Sequence, residues 1–140
     1  MKPLSLIEKA FFLKKVKLFA DLDLDLLLAI AEKLYDDDYD QGEKIFCHSQ
    51  AANRIYLIVQ GSVQILDEKL RPLAALSACD FFGDESLFND QPRSYAAICK
   101  ADTLFYTISR SHLLSIISEC PSVAVTLLQS YSQLLPCRHA

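Results

Sequence analysis

The sequence predicts a mainly β domain with helices at both ends, folded as a sandwich or barrel. Two patterns favour this class. Apolar runs between residues 39 and 108 are short and separated by turn residues, whereas apolar residues before and after this region recur at helical spacing. Short strands at close spacing are typical of all-β architectures. The chain has 140 residues, 51% of them hydrophobic, which is enough for one domain with its own core.

Helical structure is predicted over about residues 5–35. Asp21 is the predicted N-cap of its amphipathic part, because a carboxylate can accept a hydrogen bond from a free amide of the first turn. The apolar face comprises Leu22, Leu26, Leu27, Ile30, Ala31 and Leu34. The acidic run at 36–38 is interpreted as the solvated end of this helix, since it lacks the alternating ligands and the glycine of a calcium loop.

The β region is predicted over about residues 39–108. Its candidate strands are residues 44–46, 54–59, 63–66, 73–76, 95–98 and 103–108, which are rich in β-branched, aliphatic and aromatic residues. The predicted hairpin turns are Gln60-Gly61 and Asp67-Glu68-Lys69.

Two further helices are predicted over about residues 110–135. Leu113, Leu114, Ile116 and Ile117 mark the first, and Pro121 follows as a breaker or first-turn residue. The second carries an apolar stripe formed by Val123, Leu127, Leu128, Tyr131, Leu134 and Leu135. This stripe, over 122–135, either packs on the chain's own β region or forms the contact of a homodimer. The sequence leaves both possibilities open.

Charge and motif content argue against several classes of protein. Lys and Arg number 14 against 18 Asp and Glu, without a basic stripe, so no nucleic-acid partner is expected. The 3 histidines stand beside no nucleophile motif and no metal-ligand spacing, so neither an enzyme nor a metal site is expected. The 5 widely spaced cysteines are typical of reduced thiols in the cytoplasm. Charged residues near the start of the sequence interrupt the apolar run that a secretory signal needs, so no such signal is expected. The longest uncharged stretch, at 120–137, is too short and too polar for a membrane span.

Residues 82–95 carry the chemistry that points to a ligand. Gly83 permits a tight turn, and residues 84–89 can form a short helix whose first amides are free to bind an anion. The Arg93 guanidinium can return to the same place and hold phosphate oxygens, while Asp84 can accept hydrogen bonds from a ribose. Together these groups predict a pocket for a nucleotide monophosphate. The alternative is a structural turn in which Arg93 pairs with Asp84 or Asp90.

This segment resembles the phosphate-binding cassette of the cyclic-nucleotide-binding domain family, which includes catabolite activators, protein kinase A regulatory subunits and nucleotide-gated channels. The matching motifs are FGDESLF at 82–88, PRS at 92–94, KLF at 17–19, YDQGEKIF at 39–46 and RIYLIVQGSV at 54–63. All 3 glycines fall where the family uses glycine. The resemblance covers about residues 15–135. It implies a single domain over 1–140, with a β-roll or jelly-roll at about 39–108, the cassette at 82–95 and helices on both sides.

The resemblance also implies a role for each cassette residue. Arg93 would bind the exocyclic phosphate oxygens of cAMP or cGMP, supported by the amides of Ser86 and Ser94. Asp84 would bind the ribose 2′-hydroxyl, and Tyr95 stands where the choice between adenine and guanine is often set. The implied ligand-binding residues are Gly83, Asp84, Glu85, Ser86, Leu87, Arg93, Ser94 and Tyr95. The last helix would act as a lid over the base or as a dimer contact.

Three cassette residues depart from the family pattern. Asp84 is one methylene shorter than the usual Glu. Glu85 replaces an apolar residue and adds a second negative charge, which serves either as a substitute ribose ligand or as a repulsive element. Tyr95 is bulkier than the usual Ala, Thr or Ser and either stacks on the base or fills the pocket. In addition, SQAAN at 49–53 stands in place of the family's Gly-Asp turn.

Two hypotheses for the function follow. In the first, the domain is a sensor of cAMP or cGMP that acts by conformational change on an unknown effector protein or on its own dimer. Within these 140 residues no DNA-reading, kinase or channel domain is expected, so the sensor would signal through a change of shape. In the second, Asp84, Glu85 and Tyr95 have closed the pocket and the fold serves as a protein-interaction module. Replacement of Arg93 by alanine should abolish ligand binding only under the first.

Overall fold

A computed structural model describes residues 4–85 and 89–134 of the chain. In chain order the elements are α1 (Leu6–Lys14), α2 (Leu24–Ala31), β1 (Tyr35–Tyr39), β2 (Lys44–Phe46), β3 (Arg54–Gln60), β4 (Val63–Leu66), β5 (Pro72–Leu76), β6 (Phe81–Phe82), β7 (Ala96–Cys99), β8 (Thr103–Ser109), α3 (Arg110–Glu119) and α4 (Ser122–Leu134). They form two compact units. One is Leu34–Ser111, and the other combines the residues up to Lys33 with those from His112 onward.

The β unit consists of two four-stranded antiparallel sheets, ordered β1-β8-β3-β6 and β2-β7-β4-β5. The core takes side chains from both sheets: Ile45, Phe46, Tyr56, Ile58, Val63, Ile65, Phe82, Ala97, Cys99 and Phe105. Within it, the rings of Tyr56 and Phe82 stack with centroids 5.1 Å apart. The predicted class, a mainly β domain of the β-roll type with flanking helices, is confirmed. The two sheets remain separate and do not close into a barrel.

The acidic run at 36–38 lies in a strand and does not end a helix, so that prediction was wrong. It belongs to β1, which lies at the edge of its sheet and pairs with β8 from Tyr35↔Thr107 to Tyr39↔Thr103. Asp36 and Asp38 are exposed, whereas Tyr39 packs edge-on against Phe105 at 5.7 Å. Because an edge strand can present one face to water, β1 accommodates carboxylates that strands usually lack.

The two predicted hairpin turns have different outcomes. Gln60-Gly61 is not a hairpin turn, because β3 and β4 lie in different sheets. Gly61 takes the chain from one sheet to the other with φ +113°, where an added Cβ would lie 2.7 Å from the Asp102 carbonyl oxygen. The turn at Asp67 is confirmed, since β4 and β5 pair antiparallel. The Asp67 carboxylate accepts hydrogen bonds from the amides of Lys69 and Arg71 at 2.9 and 2.8 Å.

In the helical unit, α2 begins two residues later than predicted. Its N-cap is Asp23, whose carboxylate accepts a hydrogen bond from the Leu26 amide at 3.1 Å, and not Asp21. Helix α1, which the sequence did not resolve as a separate element, starts with a capping box formed by Ser5 and Glu8. It packs against α2.

Pro121 separates α3 from α4, as predicted, and the two helices are bent by 118°. Val123 and Leu127 of the predicted stripe are buried, whereas Leu128 is 62% exposed and Leu135 lies outside the described residues. No single helix in the described ranges is long and apolar enough to cross a membrane, although the bent pair of α3 and α4 together reaches that length and composition.

Candidate functional site

Arg93 is a buried cation at the centre of the predicted cassette, with 6% of its surface exposed. Its Nη1 donates to the carbonyl oxygen of Gly83 at 3.0 Å, and its Nη2 donates to that of Arg54 at 2.9 Å. The guanidinium carbon lies 4.2 Å from the centroid of the Phe46 ring, a cation–π contact. The Nε atom is buried and has no hydrogen-bond partner among the described residues. The guanidinium is therefore positioned by its surroundings, while its buried Nε–H is left without an acceptor among the described residues.

The main chain of Arg93 is also fixed. Its amide donates to the carbonyl oxygen of Gln50 at 2.8 Å, and its carbonyl oxygen accepts from the amide of Ser49 at 2.7 Å. Ser49 has a φ of +73°, in the left-handed region. The segment 49–53, which departs from the family pattern, thus supplies a main-chain brace for the arginine.

Gly83 forms the tight turn that the sequence predicted. Its φ is +78°, and an added Cβ would lie 2.8 Å from Arg93 Nη1 and 3.1 Å from the Arg54 carbonyl oxygen. A side chain at this position would therefore combine backbone strain with displacement of the arginine. The Gly83 amide donates a hydrogen bond to the Tyr95 hydroxyl at 2.8 Å.

Tyr95 connects the glycine turn to Glu85. Its hydroxyl accepts from Gly83 and donates to Glu85 Oε2 at 3.0 Å. Its half-buried ring packs 5.5 Å from Phe46. Burial and the charge of Glu85 raise the pKa of Tyr95, which keeps the phenol protonated and able to donate. The Tyr95 side chain therefore hydrogen-bonds to Gly83 and Glu85 through its hydroxyl and packs against Phe46 through its ring.

The charges of the site influence one another. Burial raises the pKa of Glu85, with Asp84 adding to the effect, because both disfavour a second negative charge there. Burial lowers the pKa of Arg93, while Tyr95, Tyr56, Glu85 and Asp84 oppose the shift. Arginine remains charged in proteins. The site therefore combines one desolvated cation with two neighbouring carboxylates.

A cavity of about 140 Å³ lies beside the guanidinium. Its described lining consists of Ala52, Glu85, Asn89, Gln91, Pro92, Arg93 and Ser94. The structure thus brings together the predicted residues Arg93, Glu85 and Ser94 at the cavity, with Gly83 and Tyr95 directly behind them. Asp84 is half-buried next to the glycine. Ser86 and Leu87, also predicted for the site, lie outside the described residues.

Sequence reasoning missed two contributors to the site. The Arg54 carbonyl oxygen holds Nη2, and the Phe46 ring covers the guanidinium. A main-chain carbonyl has no signature in a sequence, and Phe46 is one of several aromatic residues in strands. In the part of the chain that the structure describes, no group of three or more His, Cys, Asp or Glu residues is arranged to hold a metal. Cys47, Cys79, Cys99 and Cys120 are free thiols, and Cys137 lies outside the described ranges.

Comparison with known proteins gives the family of this chain. The family model of the cyclic nucleotide-binding domain matches residues 37–120. A CRP-like cAMP-activated global transcriptional regulator of Mycobacterium tuberculosis is 24% identical over 127 residues, which are 88% of this chain and 57% of that protein. A cAMP-dependent protein kinase regulatory subunit of Candida albicans is 28% identical over 100 residues, 71% of this chain and 22% of that protein. The chain therefore spans less than two thirds of either relative.

Solved structures share the fold. The N-terminal domain of a transcriptional regulator from Streptomyces coelicolor superposes with a TM-score of 0.77 at 22% identity, covering 89% of this chain and 91% of that one. The sensor domain of the transcriptional regulator DNR from Pseudomonas aeruginosa gives a TM-score of 0.78 at 20% identity, covering 95% and 92%. The family match, which includes the whole cassette around Arg93, agrees with the two-sheet fold. This chain belongs to the cyclic nucleotide-binding domain family.

Proposed function

We propose that this domain is a regulatory sensor that binds a cyclic nucleotide, cAMP or cGMP, at Arg93. The observation that carries the proposal is the buried guanidinium on the wall of a cavity, with its Nε lacking a partner among the described residues. Buried donors without an acceptor are rare in proteins, and a guanidinium that lines a cavity is a suitable group to hold phosphate oxygens there. The charge also favours an anionic ligand, because a buried charge without a compensating partner is unfavourable.

In this proposal each cassette residue has a part. Arg93 binds the exocyclic phosphate oxygens, with the amides of Ser86 and Ser94 in support. Asp84 or Glu85 accepts a hydrogen bond from the ribose 2′-hydroxyl, and Tyr95 borders the base. The proposed site comprises Gly83, Asp84, Glu85, Ser86, Leu87, Arg93, Ser94 and Tyr95.

The domain would act by changing shape on ligand binding and not by catalysis. Its relatives include proteins named as a cAMP-activated transcriptional regulator and as a kinase regulatory subunit. By analogy, residues 1–140 form one cytoplasmic sensor domain that passes the occupancy of its pocket to an effector protein or, through the helix at 122–135, to a second copy. A ligand that binds one conformation of the domain more tightly than the other shifts the equilibrium toward the conformation that it prefers.

A second candidate function is a protein-interaction module without ligand, and Tyr95 favours it. Its hydroxyl already occupies the Gly83 amide and the Glu85 carboxylate. The cavity of about 140 Å³ is also smaller than the roughly 300 Å³ at which pockets for small ligands begin. Under this hypothesis the departures from the family pattern have closed the pocket, and Arg93 serves only to hold the glycine turn.

A thermal-melt titration distinguishes the two candidates. The wild-type protein is heated with cAMP, cGMP or 5′-AMP, in parallel with Arg93→Ala and with Arg71→Ala, which removes an exposed arginine from the β4–β5 turn. At about 100 times its dissociation constant a ligand adds roughly 2.7 kcal/mol, a rise of about 5–10 °C for a domain of this size. The sensor requires a saturable rise with a cyclic nucleotide in wild type and Arg71→Ala but not in Arg93→Ala. No rise at millimolar ligand supports the interaction module.

A further inference from the structure

Glu85 lines the same cavity as Arg93, and its carboxylate is held there. A glutamate on a protein surface usually turns away from a nearby anion at little cost. Here Oε2 accepts a hydrogen bond from the Tyr95 hydroxyl at 3.0 Å, and that hydroxyl is itself held by the Gly83 amide at 2.8 Å. The Tyr95 ring is braced by Phe46. Although Glu85 is exposed, these hydrogen bonds hold its negative charge at the cavity wall.

The charge balance of the cavity limits what it can hold. Arg93 contributes one positive charge, while Glu85 and the adjacent Asp84 contribute two negative charges when ionised. Both carboxylates are close enough to the guanidinium to oppose the fall of its pKa. A ligand with one negative charge can be balanced by Arg93. A further negative charge would meet the Glu85 carboxylate on the cavity wall.

Nucleotides differ in this respect. A cyclic phosphate is a diester with one negative charge, whereas a terminal phosphate monoester carries about −1.5 to −2 at pH 7. For an illustrative separation of about 8 Å, an effective dielectric constant of about 20 and a Debye length of about 8 Å, each unit of negative charge on the ligand weakens binding beside a carboxylate by roughly three- to fourfold. This contribution is additional to any discrimination by shape.

We propose that Glu85, positioned by Tyr95, is a specificity-determining residue that admits a cyclic phosphodiester and disfavours the linear phosphomonoester of the same nucleoside. The inference rests on the proposed function, because it assigns the charge selectivity of the same pocket. It also gives one role to two residues that depart from the family pattern.

Isothermal titration calorimetry with cAMP, cGMP and 5′-AMP tests the proposal on the whole chain. The proteins are wild type, Glu85→Gln, Tyr95→Phe and the control Glu68→Gln, which removes a carboxylate from the exposed β4–β5 turn. Glu85→Gln keeps the shape and an acceptor for Tyr95 but removes the charge. We expect it to strengthen binding of 5′-AMP, with its charge of about −1.5 to −2, by about tenfold and binding of the singly charged cyclic nucleotides by about threefold, so the preference for the cyclic ligand falls by about threefold. Tyr95→Phe should reduce the preference in the same direction, and Glu68→Gln should leave it unchanged.

Salt gives a second readout that a purely structural role would not move. As the salt concentration rises from about 50 to 500 mM, the ratio of the wild-type affinities for the cyclic ligand and for 5′-AMP should fall, because salt screens the Glu85 charge. The same ratio for Glu85→Gln should not fall. If cyclic nucleotides bind but Glu85→Gln binds 5′-AMP no better than wild type does, the charge selectivity is refuted while the sensor stands. If wild type binds no cyclic nucleotide at millimolar concentration, the proposed function fails and this inference fails with it.

Discussion

The carbonyl oxygen of Gly83 accepts a hydrogen bond from Arg93 Nη1 at 3.0 Å, so the glycine turn and the buried cation hold each other in place. The turn brings this carbonyl to the guanidinium because Gly83 has a positive φ and no side chain. In return, the arginine supplies a hydrogen-bond donor to a buried main-chain carbonyl. The conformation of the cassette and the position of its charge are thus one structural feature.

Substitution of Gly83 by alanine should be more damaging than the same change at Gly42. Both glycines have a positive φ, +78° and +87°, but an added Cβ meets Arg93 at Gly83 and nothing within 4 Å at Gly42. We expect about 1 kcal/mol of destabilisation for Gly42→Ala from strain alone and about 2–4 kcal/mol for Gly83→Ala. Urea denaturation measures both values. Equal losses would mean that the arginine moves aside freely.

Removal of the Tyr95 hydroxyl should destabilise the fold by about 0.5–1.5 kcal/mol. Tyr95→Phe keeps the ring on Phe46 but removes the hydrogen bonds with Gly83 and Glu85. Tyr35→Phe, at a position that is 60% exposed in the edge strand β1, is the control and should change stability by less than about 0.5 kcal/mol. Chemical denaturation of the three proteins gives the comparison. A Tyr95→Phe protein as stable as wild type would argue that solvent replaces both hydrogen bonds.

The stability effect of Glu85→Gln should depend on pH. Burial and the charge of Asp84 raise the pKa of Glu85 above its value in the unfolded chain, so the ionised carboxylate destabilises the folded state. This destabilisation is present at neutral pH and disappears as the pH falls below the unfolded pKa, about 4.3. Glu85→Gln should therefore raise the Tm at pH 7 and lose that advantage at about pH 4. Thermal melts across this range test it, and a constant difference in Tm would contradict the expectation.

Thr103 should be required for the junction at Gly61, where the chain passes between the sheets. Its hydroxyl is buried, with 3% of the residue exposed, and lies 2.9 Å from the Ala101 carbonyl oxygen, 3.2 Å from that of Ser62 and 3.3 Å from the Ser62 amide. Thr103→Val keeps the volume but removes these hydrogen bonds, at a cost of about 1–3 kcal/mol. Thr103→Ser restores the hydroxyl and should cost less, as equilibrium unfolding in urea would show. The opposite order would assign the role of Thr103 to its methyl group.

Most strands were predictable because their apolar runs are local features. Two strands were not predicted: β6 has only two residues, Phe81 and Phe82, and β1 contains the acidic run Asp36–Asp38, which is unusual for a strand. Both strands form because they pair with residues that are distant in the sequence. The same reason explains the error at Gln60-Gly61, since membership of a sheet is not visible in a turn sequence. At the start of α2, Asp21 and Asp23 offer the same capping chemistry two residues apart, and tertiary packing selects between them.

The candidate site was partly predictable in the same sense. The glycine turn and the arginine follow from residue type, and the resemblance gave them roles. The partners of Arg93 did not follow, because a carbonyl oxygen at Arg54 and a ring at Phe46 come from strands about 40 residues away. Glu85 and Tyr95 were two separate departures in the sequence, whereas in the structure they form one hydrogen-bonded pair.

That pair has a consequence for how this domain can change over generations. An apolar residue in place of Glu85 leaves the half-buried Tyr95 hydroxyl without its acceptor, and a small residue in place of Tyr95 leaves the exposed Glu85 carboxylate without its donor. Each single replacement therefore loses the hydrogen bond that the pair shares and leaves one polar group behind, whereas a joint replacement removes both groups. We therefore expect the residues at positions 85 and 95 to vary together among related sequences, as residues in contact do.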